Sequence, residues 1–155
     1  MNKYEKLLDE AEKSNVSVDE NYKFQGRTSG LYIDGNIALS DKLKTTAAKS
    51  CILAEELGHH HTSYGNILDL TDSANCKQEH QARVWAYDHQ IGLNNLIRAY
   101  EHGCRNRYEM AEFLEVTEEF LEEAIITYRE KYGICIIVDK YCIIFIPQLS
   151  VGKIF

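Results

Sequence analysis

The stretch ILAEELGHHHTSYG, residues 52–65, gathers two adjacent glutamates, a Leu-Gly step and three histidines. Glu55 and His59 stand four residues apart, the spacing at which two side chains of one helix can hold a single ion. Each helical residue turns by about 100°. With Cys51 at zero, Glu55 falls near ~40° and His59 near ~80°, in a broad sector shared with Ala47, Ala48, Ile52 and Gly58. That sector is small and apolar, so it is the face expected to be covered by the rest of the protein. Glu56 then flanks the two ligands, where a general base for a hydrolytic water belongs. A second register pairs Glu56 with His60, but on the side that carries Lys49, where a cation site is disfavoured. Solvated or mutually paired Glu and His side chains would produce the same pattern.

A catalytic zinc site usually has three protein ligands, so a third must come from elsewhere. The next helical pattern offers Glu79, one step before Ala82 and Ala86 on the inward stripe. A carboxylate on an apolar stripe is costly to bury unless it is paired, and a metal would pair it. The other reading places Glu79 in a frayed first turn, where it favours the helix dipole. His80 points about a third of a turn away and reads as a surface residue.

These residues need helices to place them. Residues 2–14 carry Tyr4, Leu7, Leu8 and Ala11 at helical spacing. Asn15 to Asn21 reads as a polar break. Asp34-Gly35 is a two-residue turn signal between Leu31-Tyr32-Ile33 and Ile37-Ala38-Leu39, which predicts a β-hairpin. Thr45 or Thr46 can cap a helix running to about His61, which Thr62 to Gly65 ends. A polar loop is expected to about Ala74, then one long helix over 77–100, with Ala82, Ala86, His89, Leu93, Leu96 and Tyr100 on one face. Two helices follow over 108–114 and 117–131, the second with an N-cap signal at Val116-Thr117-Glu118-Glu119 and a stop at Gly133. ICIIVDKYCIIFI predicts two apolar strands around Asp139-Lys140, closed by Pro147. The whole reads as one α+β domain over residues 1–155.

The chain has 155 residues, 45% of them hydrophobic and 26% charged, an ordinary globular mixture, with a formal net charge of −7. An acidic surface argues against nucleic acid as the main partner, since phosphate binding needs clustered Lys and Arg. The start, MNKYEKLLDEAEKSN, has no apolar run, and no segment approaches the ~20 apolar residues that span a bilayer. No membrane association is expected. The cysteines at 51, 76, 104, 135 and 142 are odd in number and form no C-x-x-C pair. They read as reduced thiols of a cytoplasmic protein, with Cys51, Cys135 and Cys142 as small buried hydrophobes.

LAEELGHH…T followed by KQEHQARVWAYDHQI resembles the ImmA/IrrE metallo-endopeptidases of prophages and mobile elements. GLYIDGNIALSDKLKTTAAKSCILAEELGHH is similar to that family's hairpin and active-site helix, and CIIFIPQLSVGKIF to its closing segment. The resemblance covers roughly 25–155 and is most specific across 47–86. It implies a zincin-like fold: a central metal-site helix, a small β-sheet with its hairpin, and a C-terminal helical pair plus β-hairpin. It implies a divalent metal, zinc foremost and manganese as the alternative. Glu55-Glu56-Leu57-Gly58-His59 occupies the family's H-E-x-x-H. Glu56 matches the general base, His59 the second histidine ligand, and Glu79 the glutamate ligand from the following helix. The implied substrate is a helix-turn-helix transcriptional repressor, cleaved in an anti-repressor role. Glu55 departs from the pattern, standing where the family has histidine. A second carboxylate ligand lowers the Lewis acidity felt by water and shifts preference toward harder ions such as manganese. It would equally mark a degenerate member that binds a repressor without cutting it.

RYEMAEFLEVTEEFLEEAIITYREKYG has the cadence of a helix-turn-helix. Its second helix carries Glu118, Glu119, Glu122 and Glu123 near the end that would enter a groove, a field that repels phosphate. A packing module or a docking face for a basic repressor suits it better. The 31–39 hairpin, ahead of the metal-site helix, offers an edge for β-augmentation by an extended substrate, or simply covers the core.

Overall fold

The computed structural model describes residues 1–62 and 72–154, without the side chains of 72–74. The protein is mixed α+β and forms two compact units, Met1–Ala86 and Tyr87–Phe155.

The first unit opens on α1, Lys3–Lys13, capped by Asn2, whose side chain accepts from the Glu5 amide at 2.8 Å. Its buried face is Tyr4, Leu7 and Ala11, set against α2. Three strands follow: β1 Ser17–Tyr22, β2 Gly30–Ile33 and β3 Asn36–Ser40, in the order β1-β3-β2. β2 and β3 form the expected hairpin, with Ile33 opposite Asn36. Asp34 and Gly35 both take positive φ, 46° and 80°, as a two-residue turn matched to strand twist requires. β1, in the segment expected to be a polar break, pairs in parallel with β3. Its side chains are exposed except for half-buried Val18, so the backbone ladder rather than apolar burial makes it a strand. Ile37 and Leu39 of β3 enter the core, and α2, Thr46–Thr62, packs under β2 and β3. Thr45 caps α2, its hydroxyl accepting from the Ala48 amide at 3.0 Å.

The loop expected after Thr62 lies outside the described residues as far as residue 71. α3 then runs Asp72–Gln90, beginning before the expected residue 77 and crossing the boundary between the units. The single helix expected over 77–100 is in fact two. Gly92 sits at φ 69°, a left-handed conformation that breaks the helix, and α4 covers Gly92–Glu101. His89 and Tyr100, expected on the inward stripe, are exposed.

In the second unit α5 (Arg107–Leu114) and α6 (Glu118–Tyr132) stand where the sequence places them. Asn106 caps α5, and Thr117 caps α6 by accepting from the Phe120 amide at 3.1 Å. Glu115, at φ 57°, turns the chain between them. β4 Cys135–Val138 and β5 Tyr141–Ile144 form the second hairpin, and a third strand absent from the sequence reading, β6 Ser150–Lys153, pairs with β5. Leu96, Leu121, Tyr128, Ile143 and Phe145 fill this unit's core. Tyr128 ties it together. Its hydroxyl donates to Asp88 Oδ1 at 3.0 Å and accepts from the Gly92 amide at 3.2 Å, which holds the α3–α4 break in place. Cys51 is buried as expected, but Cys135 is exposed and Cys142 half-buried, because both lie on the outer face of the second hairpin.

Candidate functional site

The covered face of α2 is rotated from the one expected. Ser50, Cys51, Leu53, Ala54, Leu57, Gly58 and His59 are buried, while Ala47, Ala48 and Ile52 are only half-buried. Leu53 and Leu57 decide this: a fully buried leucine gains about 2 kcal/mol, far more than an alanine. Lys49 does not oppose it, because its ammonium leaves the core and lies 6.0 Å above the Tyr4 ring. Glu55 and His59 therefore lie at the rim of the buried face rather than at its centre.

Two glycines set the local geometry. A Cβ on Gly58 would stand 2.3 Å from the Ala82 carbonyl oxygen, so α2 and α3 touch backbone to backbone at this point. His59 follows Gly58, and Glu79 lies one turn before Ala82. The close approach thus brings His59 Nε2 to 3.3 Å from Glu79 Oε1. His59 is buried, whereas nearly half of the Glu79 side chain meets solvent. Because α3 starts at Asp72, Glu79 sits well inside the helix and not in its first turn. On the other side of α2, a Cβ on Gly30 of β2 would lie 3.2 Å from Glu56 Oε1 and 2.6 Å from Ile52 Cγ2. That absent side chain lets β2 close over the glutamate.

Glu56 is half-buried between these neighbours. Burial, then the charge of Glu55, then that of Glu79, push its carboxyl from the usual 4.5 up to about 8. It therefore exchanges a proton near neutral pH, the range suited to a general acid or base.

His60 has a role that the sequence did not show. Its Nδ1 is 2.7 Å from the Tyr32 hydroxyl of β2. The ring meets Tyr32 edge-on and neighbours His61, which stacks on Trp85 of α3 with centroids 4.9 Å apart. The alternation of strand β2 puts Tyr32 on the α2 side, the one signal that could have linked it to His60. His80 is exposed.

The donors can be tested against a metal. Two ligand atoms each 2.0–2.1 Å from a tetrahedral ion lie about 3.3–3.4 Å apart, and His59 Nε2 and Glu79 Oε1 have that separation. At 3.3 Å the contact is long for a hydrogen bond. His59 Nδ1 is buried with no hydrogen-bond partner among the described residues, a group that an ion or water would satisfy. Among the described residues it also lacks the acceptor that usually orients a metal-binding histidine. No three His, Cys, Asp or Glu side chains among the described residues gather closely enough to enclose an ion. Glu55 lies one helical turn before His59, and its charge reaches Glu56. The arrangement supplies two corners of a site, with the Glu55 carboxylate one turn away.

No family model matches the chain, nor does any curated protein or solved structure.

Proposed function

We propose that the chain is a metal-dependent endopeptidase of the ImmA/IrrE, zincin-like type, acting on a helix-turn-helix repressor. The observation that carries this reading is Glu56, a half-buried carboxyl beside the His59–Glu79 pair whose proton affinity lies near neutrality. His59 and Glu79 would hold the ion, with Glu55 completing the set. When bound, a divalent ion such as zinc, or manganese given the two carboxylates, supplies positive charge to the scissile carbonyl oxygen. That charge also favours ionised Glu56 and restores it as a base. Glu56 takes the proton of the attacking water and delivers it to the leaving amine. Gly30 keeps β2 close to the glutamate. Among the described residues β2 has only β3 as a ladder neighbour, and the edge facing away from β3 suits an extended peptide.

One variant tests the assignment. Glu56→Gln should bind zinc as the natural chain does and leave a repressor substrate uncut. Cleavage at the unaltered rate would remove Glu56 from the mechanism.

The rival is a member that binds a repressor without cleaving it. It is favoured by the lack of a third gathered donor among the described residues and by Glu55 in the first ligand position. It predicts repressor binding with no product at any concentration of zinc or manganese. Among the described residues no helix is long and apolar enough to cross a membrane.

A further inference from the structure

We propose that Cys135 and Cys142 form a modification site, a dithiol that a low-molecular-weight disulfide closes into a reversible intrachain disulfide. The inference stands on the second unit alone and is independent of the metal site.

The pairing of β4 with β5 places the two thiols. Cys135 lies opposite Ile144 and Ile137 opposite Cys142. Cys135 and Cys142 are therefore diagonal neighbours on one face of the ladder. A two-residue hairpin has two such diagonals, and the right-handed twist of the strands shortens one and lengthens the other. The short one joins the residue farther from the turn on the first strand to the residue nearer the turn on the second. Cys135 and Cys142 hold those positions, which bring their thiols close enough to influence each other. The long diagonal belongs to Ile137 and Ile144.

Access favours the reaction. Cys135 is exposed. On its other side Cys142 faces Gly152 of β6, where an added Cβ would meet nothing within 4 Å. The space beside the pair is open to a small reagent. Of the other thiols, Cys76 is exposed but belongs to α3 in the first unit. Cys51 is buried, and the Cys104 thiol donates to the Glu109 carbonyl at 3.6 Å.

Glutathione disulfide serves as the oxidant. The Cys135 thiolate attacks one of its sulfurs, forming a mixed disulfide and releasing one glutathione, which takes up the proton that Cys135 gave up. The Cys142 thiolate then attacks the Cys135 sulfur, forming the Sγ–Sγ bond and expelling the second glutathione, protonated in the same way. Two protein thiols are oxidised and one small disulfide becomes two thiols.

The test equilibrates the full chain with mixtures of reduced and oxidised glutathione, quenches it with acid, and maps its peptides by mass spectrometry. The expected product has lost two hydrogens, carries a 135–142 link, and reverts with dithiothreitol. Cys135→Ser and Cys142→Ser should each stop at a glutathione adduct on the remaining cysteine. Moving the pair to the long diagonal, by Ile137→Cys and Ile144→Cys in a chain with both native cysteines changed to serine, should leave two adducts and no link. The proposal is overturned if the native pair accumulates two adducts without closing. It is equally overturned if the pair links to Cys76, Cys104 or another chain, or if the long diagonal closes as readily.

Discussion

Replacing Glu56 with glutamine should stabilise the metal-free protein, and by an amount that depends on pH. The carboxyl titrates at about 8 in the folded chain against an ordinary value of 4.5. The folded state therefore binds more protons than the unfolded state between these values, and stability falls as pH rises through that window. Below pH 4.5 both states are protonated and the group costs nothing. Each pKa unit is worth about 1.4 kcal/mol. The loss relative to acid is thus roughly 1 kcal/mol at pH 5, about 3 at pH 7, and about 5 at pH 9. Part of Glu56 remains in solvent, and water screens the charge there, so these figures are upper bounds. Glutamine keeps the shape and never ionises. Urea unfolding of chelator-dialysed protein at pH 5, 7 and 9 should show the advantage of Glu56→Gln growing with pH while the denaturant slope stays constant. Zinc should shrink the advantage at pH 7 and above, because positive charge beside Glu56 removes its penalty. An advantage of equal size at all three pH values would refute the reasoning, since it could not come from a carboxyl that gains its charge in this window.

Two other substitutions probe the frame. Gly58→Ala sets two effects in opposition: alanine is the better helix former by about 1 kcal/mol, but its Cβ would stand 2.3 Å from a backbone carbonyl that no rotamer change can move. Overpacking of this kind costs about 1–3 kcal/mol, so urea unfolding should show a net loss, and calorimetric titration should show weaker zinc binding as His59 and Glu79 separate. Tyr128→Phe removes the hydrogen bonds to Asp88 and Gly92, and denaturation should register a loss of about 1–3 kcal/mol.

The parts of the fold that announce themselves in sequence are those where local chemistry is sufficient. Asp34-Gly35 dictates a hairpin turn, Thr117 dictates a helix start, and Gly133 dictates a stop. What stayed hidden depends on partners distant in sequence. β1 is a polar edge strand that only the β3 ladder reveals, and β6 likewise exists through β5. Gly92 sits inside an unbroken helical pattern, and nothing local says that it will adopt positive φ. In the site, the i, i+4 spacing marks Glu55 and His59, but the buried face of α2 is set by the bulk of Leu53 and Leu57, which outweighs the small residues on the neighbouring sector. The roles of Gly30 and Gly58 as points of close approach come only from the elements that cross there. The Cys135–Cys142 diagonal, by contrast, was implicit in their spacing about the Asp139-Lys140 turn.

The most direct test of the central claim is the metal content of untagged protein, measured by elemental analysis after equilibration with zinc or manganese and gel filtration. Close to one ion per chain is expected in the natural protein and in Glu56→Gln, and a large loss in His59→Ala and in Glu79→Ala. Folded protein that retains no ion under any of these conditions, or that retains the same amount when His59 and Glu79 are both replaced, would contradict it.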